Sequence, residues 1–161
     1  MLRFASAFAF VCAVWLLPAA ASAQGVQISR DVPYAEDARI PENIKRECAT
    51  LGQKLSTFLA QYSEQNGVAT VAVDAVDAGS EGRVLVVEIT DAMSSGNAFT
   101  GHRKSMSVRG ELFVDGVSQG HVDFTRNSGG GFAGGYKGSC AVLGRCTKAL
   151  GKDLAGWLAE Q

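Results

Sequence analysis

The first pattern along the chain is an apolar segment with a single charge at its start. Arg3 supplies the positive charge, and residues 4–17 are almost all apolar. Ala21-Ser22-Ala23 then gives the small residues that a signal peptidase requires. The pattern predicts a secretory signal over residues 1–23, with cleavage before Gln24. A retained anchor is the alternative, although an anchor usually needs about 20 apolar residues.

The next segment, residues 24–40, mixes charges, proline and small residues without periodicity. We interpret it as an extended N-terminal arm. The remaining residues, 41–161, have the length of one domain with one core.

A helical pattern follows the arm. Pro41-Glu42-Asn43 is a favourable helix start, and Asn66-Gly67 is a favourable helix end. Between them, apolar residues recur every three or four positions and form one stripe. The stripe consists of Ile44, Cys48, Leu51, Leu55, Phe58, Leu59 and Tyr62.

Four strands are predicted next. Residues 68–76 and 83–90 alternate in the manner of strands, and residues 77–82 are interpreted as a hairpin loop between them. Residues 91–101 are interpreted as the loop that leads to the third strand. The third and fourth strands flank Asp115-Gly116.

The turn at Asp115-Gly116 decides which residues of the last two strands share a face. A two-residue turn would divide their apolar residues between both faces. A three-residue loop with its glycine left-handed pairs Phe113 with Val117 and Val108 with Val122, and it unites those residues on one face. We therefore predict the second register. The residues that it unites are Val108, Leu112, Val122 and Phe124.

A second helix begins near Ser139 and carries an apolar seam at heptad-like spacing. We expect Leu150 and Trp157 to be buried between this helix and the sheet. The seam consists of Cys140, Leu143, Thr147, Leu150, Leu154 and Trp157. The predicted fold class is α+β: a helix, a four-stranded antiparallel meander and a second helix, with both helices on one face. A small barrel closed by the helices is the alternative.

The charge of the chain is nearly balanced, at −1 in total. Such a balance gives no electrostatic argument for nucleic acid as a partner. No apolar run long enough to span a membrane follows the signal. Arg103-Lys104 beside His102 is interpreted as a solvated turn.

Three cysteines remain after the signal, which suggests one disulfide and one free thiol. Cys48 and Cys140 lie on the apolar seams near the starts of their helices. The segment between the last strand and the second helix is long enough to bring them together. We favour this pair. A bond between Cys140 and Cys146 would need the helix to start late or break at Gly144. In the favoured arrangement, Cys146 is a buried and unreactive thiol.

Candidate chemistry is sparse. The two histidines, His102 and His121, belong to no triad motif, and no element carries metal-ligand spacing. We therefore predict no catalytic residue, no metal and no cofactor. Three aromatic residues in small polar loops either pin those loops to the sheet edge or form a binding rim. They are Phe99, Phe132 and Tyr136.

Three stretches carry a resemblance to known proteins: Pro41-Glu42-Asn43-Ile44 through Cys48, the strand GRVLVVEI, and KGSCAVLGRCTKALGKDLAGWL. From Ile44 onward the chain resembles a group of small periplasmic proteins of Gram-negative bacteria that has no assigned activity. The resemblance implies an envelope location and a helix–meander–helix fold, and it implies no chemistry.

These patterns predict a non-enzymatic periplasmic accessory or binding protein of the cell envelope. Its partner would be an envelope protein or ligand that the sequence does not identify. The alternative is a small secreted enzyme with a loop-built site near His102 and Asp91.

Overall fold

The computed structural model describes residues 25–97, 101–128 and 139–161, which form a mixed sheet and a layer of helices. The described elements, in chain order, are β1 (Val26–Ser29), β2 (Tyr34–Arg39), α1 (Glu42–Glu47), α2 (Leu51–Gln65), β3 (Thr70–Val73), β4 (Arg83–Asn97), β5 (Gly101–Val114), β6 (Val117–Ser128) and α3 (Ser139–Ala159). The α+β class is as predicted.

The sheet is mixed, and its strand order is β3-β1-β4-β5-β6, with β2 also paired to β4. Strands β4, β5 and β6 form an antiparallel meander. Strand β1, however, runs parallel to both β3 and β4. The predicted four-stranded antiparallel meander is therefore wrong at its first strand, because β3 pairs with β1 and not with β4.

The N-terminal segment is part of this sheet. Val26 and Ile28 of β1 are buried, and their side chains join the core beneath the helices. The Ser56 hydroxyl of α2 donates a hydrogen bond to the Ser29 carbonyl at 2.6 Å, which ties the end of β1 to the helix layer. The extended arm predicted for residues 24–40 thus contributes two strands. Strands β3 and β4 lie on opposite sides of β1. Residues 77–82 are therefore part of the connection between these two strands and do not form a hairpin loop.

The predicted first helix is divided into α1 and α2. Cys48 ends α1 with a non-helical conformation (φ −112°, ψ 37°), and α2 starts at Leu51. The apolar stripe continues in phase through the break, so Ile44, Leu55 and Leu59 are buried as the periodicity predicts.

Helices α2 and α3 pack side by side and run parallel. Cys48, just before α2, is bonded to Cys140 at the start of α3. Further along, Gly151 of α3 lies against the backbone of Phe58 and Leu59. Leu150 is buried as predicted, whereas Trp157 is only partly buried.

The β5–β6 turn forms the two-residue geometry and not the predicted three-residue loop. Asp115 and Gly116 both have positive φ (50° and 78°), and Val114 pairs with Val117. An irregularity next to Leu112 then shifts the register by one residue. As a result, Val108 pairs with Phe124 instead of Val122. The apolar residues still share the core face, because the shift restores the parity that the turn alone would break.

The predicted loop at residues 91–101 is largely strand. β4 continues to Asn97 and β5 begins at Gly101, so the two strands form a long hairpin. A register irregularity between Ile89 and Asp91 lies within this hairpin.

Candidate functional site

The open face of the sheet, which turns away from the helices, carries the main cluster of charged side chains. Alternate residues of β4, β5 and β6 point to this face because their neighbours point into the core. Glu88, Arg109 and Asp123 lie side by side here, since Glu88 pairs with Arg109 and Arg109 pairs with Asp123.

Arg109 is the centre of this cluster. Its guanidinium nitrogens lie 3.8 Å from carboxylate oxygens of Asp37, Glu88 and Asp123, which belong to β2, β4 and β6. The Arg109 side chain remains 46% exposed, so the network is open to solvent. Three carboxylates around one guanidinium leave the cluster with an excess of negative charge.

Polar pairs extend the open face on both sides of Arg109. The hydroxyls of Ser107 and Thr125 are 2.8 Å apart, and Ser118 donates a hydrogen bond to Glu111 at 2.6 Å. His121 is also exposed on this face, where it pairs with Glu111.

Asp91 lies on the same face, further along the hairpin. Partial burial raises the pKa of its carboxyl, and this effect outweighs hydrogen bonds from Ser105 and the Ala92 backbone and the charge of Arg39. Since burial disfavours the charged form, Asp91 is held in a less hydrated setting than an ordinary surface carboxylate.

The structure does not bring Asp91 and His102 together. Asp91 pairs with Ser107, whereas His102 pairs with Gly96, five residues further along β4. At about 3.3 Å per residue, the two backbones are about 17 Å apart along the sheet. The two residues therefore belong to different parts of the hairpin, and Asp91 is not in a loop.

The predicted binding rim lies outside the described residues, because Phe99, Phe132 and Tyr136 all fall in the gaps at 98–100 and 129–138. Among the described residues, no three metal-ligating side chains form a cluster that could hold a metal ion. No described helix is long and apolar enough to cross a membrane.

One buried charge was missed by the sequence reasoning. Lys104 is only 4% exposed, and its ammonium donates a hydrogen bond to the Ser94 hydroxyl. Lys104 lies two residues before Met106 and four before Val108, which both point into the core. The two-residue alternation of β5 could therefore have predicted that Lys104 is buried. The prediction of a solvated turn at Arg103-Lys104 is wrong, since both residues belong to β5.

The favoured cysteine pair is bonded in the structure. The Cα atoms of Cys48 and Cys140 are 5.3 Å apart, and the bond joins residues 92 positions apart in the chain. Cys146 is a buried free thiol, and burial raises its pKa. A disulfide between distant elements is typical of proteins that fold in an oxidising compartment outside the cytoplasm.

No protein-family model matches the sequence, and the search of curated proteins gives no match. Two solved structures from bacteria show a distant likeness. A minor lipoprotein from Acinetobacter baumannii is 14% identical, with a TM-score of 0.46 over 83% of this chain and 92% of that chain. A PelC variant from Paraburkholderia phytofirmans, solved as a dodecamer, is 13% identical, with a TM-score of 0.48 over 81% and 86% of the two chains. The likeness is too distant to bear on function.

Proposed function

We propose that the chain is a non-enzymatic accessory or binding protein of the cell envelope that recognises its partner through the open face of the sheet. The proposal places the protein in the periplasm after cleavage before Gln24. Two features support this location: the signal pattern of residues 1–23 and the disulfide between Cys48 and Cys140.

The observation that carries the binding role is the charge network around Arg109. Its three ion pairs are long and largely exposed, and such pairs contribute only about 0–1 kcal/mol each to stability. The network is therefore a weak stabilising device. It does, however, give the open face a fixed pattern of charge, which is what selects a partner and orients it.

The sign of the charge indicates the chemistry of the partner. Asp37 and Asp123 are mostly exposed at the two sides of Arg109. Because carboxylates outnumber the guanidinium, the complementary surface would carry lysine or arginine side chains. The partner we propose is an envelope protein or ligand that presents such basic groups.

Site-specific photo-crosslinking in the periplasm of producing cells tests this function. A photo-reactive residue would replace Thr125, which is exposed on the open face, or Lys152, which is exposed on α3. We expect a discrete crosslinked adduct from position 125 and none from position 152. The double substitution Asp37→Lys with Asp123→Lys should abolish the adduct at position 125, because it reverses the charge on both sides of Arg109.

Two results would contradict the proposal. One is an adduct that forms from position 152 and not from position 125. The other is an adduct at position 125 that survives the charge reversal while the variant stays folded by circular dichroism.

A further inference from the structure

The β3 and β6 edges of the sheet are protected very differently. At the β6 edge, a register shift interrupts the pairing of β6 with β5 opposite Leu112. In addition, Arg126 of β6 donates two 2.6 Å hydrogen bonds to Asp153 of α3. Bulges and charged side chains are devices that prevent an edge strand from pairing with another chain. The β6 edge is therefore blocked by its own residues.

The β3 edge lacks such devices within its own sequence. Its four residues, Thr-Val-Ala-Val, carry no charge, and Val71 is 50% exposed. In the described part of the chain, β3 pairs with β1 on one side and with no strand on the other. An uncharged edge strand with β-branched residues is a template for strand pairing.

The hydrogen bonds to β1 show which backbone groups of β3 face outward. The carbonyls of Ala69 and Val73 accept hydrogen bonds from Val26 and Arg30, so they point to β1. Because backbone groups alternate along a strand, the N–H and C=O groups of Thr70 and Ala72 point to the free edge. The Arg30 side chain donates a hydrogen bond to the Ala72 carbonyl at 3.3 Å, which agrees with that direction.

Shallow grooves flank β3 on both faces. On the open face, one groove is lined by Gln27, Val71, Val73 and Glu81. On the helix side, another is lined by Ala60, Glu64 and Thr70. The first groove lies over β1 and β3, whereas a strand added at the free edge would place every second side chain beside the groove on the helix side.

From these observations we propose that β3 is a dimerisation edge, where two copies of the chain pair their β3 strands antiparallel across a twofold axis at Val71. In this register, Thr70 of each copy exchanges two backbone hydrogen bonds with Ala72 of the other. A second copy can pair here because the outward N–H and C=O groups of Thr70 and Ala72 lie symmetrically about Val71. A twofold rotation therefore places each donor opposite an acceptor. This inference goes beyond the proposed function and does not depend on it.

The pairing has a specific cost at Arg30. The Ala72 carbonyl must exchange its bond with the Arg30 guanidinium for a bond with Thr70 of the second copy. Arg30 also forms a 3.2 Å ion pair with Asp74, which keeps it at this end of the strand. Removal of the guanidinium should therefore favour association. The strand is short, so the dimer is weak and forms at high protein concentration.

Cysteine crosslinking tests the register directly. In the proposed dimer the two Val71 residues form a pair without hydrogen bonds, with Cα atoms about 4.5 Å apart, which is within the range that a disulfide needs. We expect Val71→Cys to form a covalent dimer with diamide as oxidant. Val117→Cys is the matched control, since Val117 is an exposed valine (63%) at the far edge, and it should remain largely monomeric.

Sedimentation equilibrium is the second measurement. It uses the mature protein, purified after its export and the cleavage of its signal. Val71→Lys places like charges opposite each other and should weaken association about tenfold or more, whereas Val117→Lys should not change it. Arg30→Ala should strengthen it. The inference would be overturned if the unsubstituted chain stays monomeric up to about millimolar concentration. It would also be overturned if Val71→Cys crosslinks no faster than Val117→Cys, or if Val71→Lys associates as well as the unsubstituted chain.

Discussion

The two long helices approach each other closely at a glycine. A Cβ atom added to Gly151 would lie 2.7 Å from the Phe58 Cβ and 3.0 Å from the Leu59 nitrogen. Neither neighbour can move without a shift of α2 or α3, because the Leu59 nitrogen belongs to the backbone of α2. Gly151 therefore sets how closely the helices approach.

We predict that Gly151→Ala lowers the free energy of unfolding by about 1–2 kcal/mol. Overpacking costs about 1–3 kcal/mol, and the better helix propensity of alanine returns up to about 1 kcal/mol. Urea denaturation measures the difference. Gly156→Ala in the same helix is the control. A Cβ there would meet no described atom within 4 Å, so alanine should stabilise by up to about 1 kcal/mol. Equal effects from both substitutions would contradict the close contact.

Asp91 gives a prediction that depends on pH. Partial burial raises its pKa above 3.8, so the folded chain disfavours the carboxylate relative to the unfolded chain. Asp91→Asn should therefore stabilise the fold at neutral pH. The gain should fade as the pH falls through the folded-state pKa towards 3.8, where the carboxyl becomes protonated in both states. Urea midpoints between pH 3 and pH 7 test this trend.

Individual residues differed in how well their roles could be predicted. The pairing of Cys48 with Cys140 followed from seam positions and chain reach, both of which are local properties of the sequence. The separation of Asp91 from His102 did not, because it depends on how far β4 and β5 extend as strands. Polar residues near Gly96 resemble loop residues when only their composition is considered.

At the scale of whole elements, the N-terminal segment differs most from its prediction. Strand β1 has only four residues, Val-Gln-Ile-Ser, and a run this short is not distinctive without a partner. Its stability comes from lying between β3 and β4.

The turn at Asp115-Gly116 shows the opposite case. The local preference of Asp-Gly for a two-residue turn is kept. A single register irregularity next to Leu112 then returns the apolar residues of β6 to the core face.

The role of β1 predicts a large effect from one core side chain. Ile28→Ala should lower the free energy of unfolding by about 2–5 kcal/mol, because Ile28 is buried between the sheet and the helices. Gln27→Ala, on the neighbouring residue that points to the open face, should change it by about 0.5 kcal/mol or less. Thermal melts of both variants compare the two positions. If residues 24–40 were a free arm, Ile28→Ala would leave the melting temperature unchanged.

In the molecule as a whole, the helix layer stabilises the fold, and the open face is the surface that we propose for recognition. The helices and the inner face of the sheet hold the core, and the disulfide closes that layer at one end. The opposite face carries the charges around Arg109. The sequence predicted a layered α+β fold with one buried face, since alternation and helical stripes record burial. It could not predict the strand order, which depends on contacts between distant segments.

The bond between Cys48 and Cys140 closes the helix layer, and such a bond persists in the oxidising compartment that the proposed export would reach. In the chain-entropy account, a closed loop of this length stabilises the fold by up to about 4.6 kcal/mol. Peptide mapping of protein prepared from the periplasm without reductant shows whether this bond forms. We predict one linked pair of peptides that contains Cys48 and Cys140, with Cys146 alkylated only after denaturation because it is buried. A linked pair of Cys140 and Cys146 with Cys48 free, or three free thiols, would contradict it.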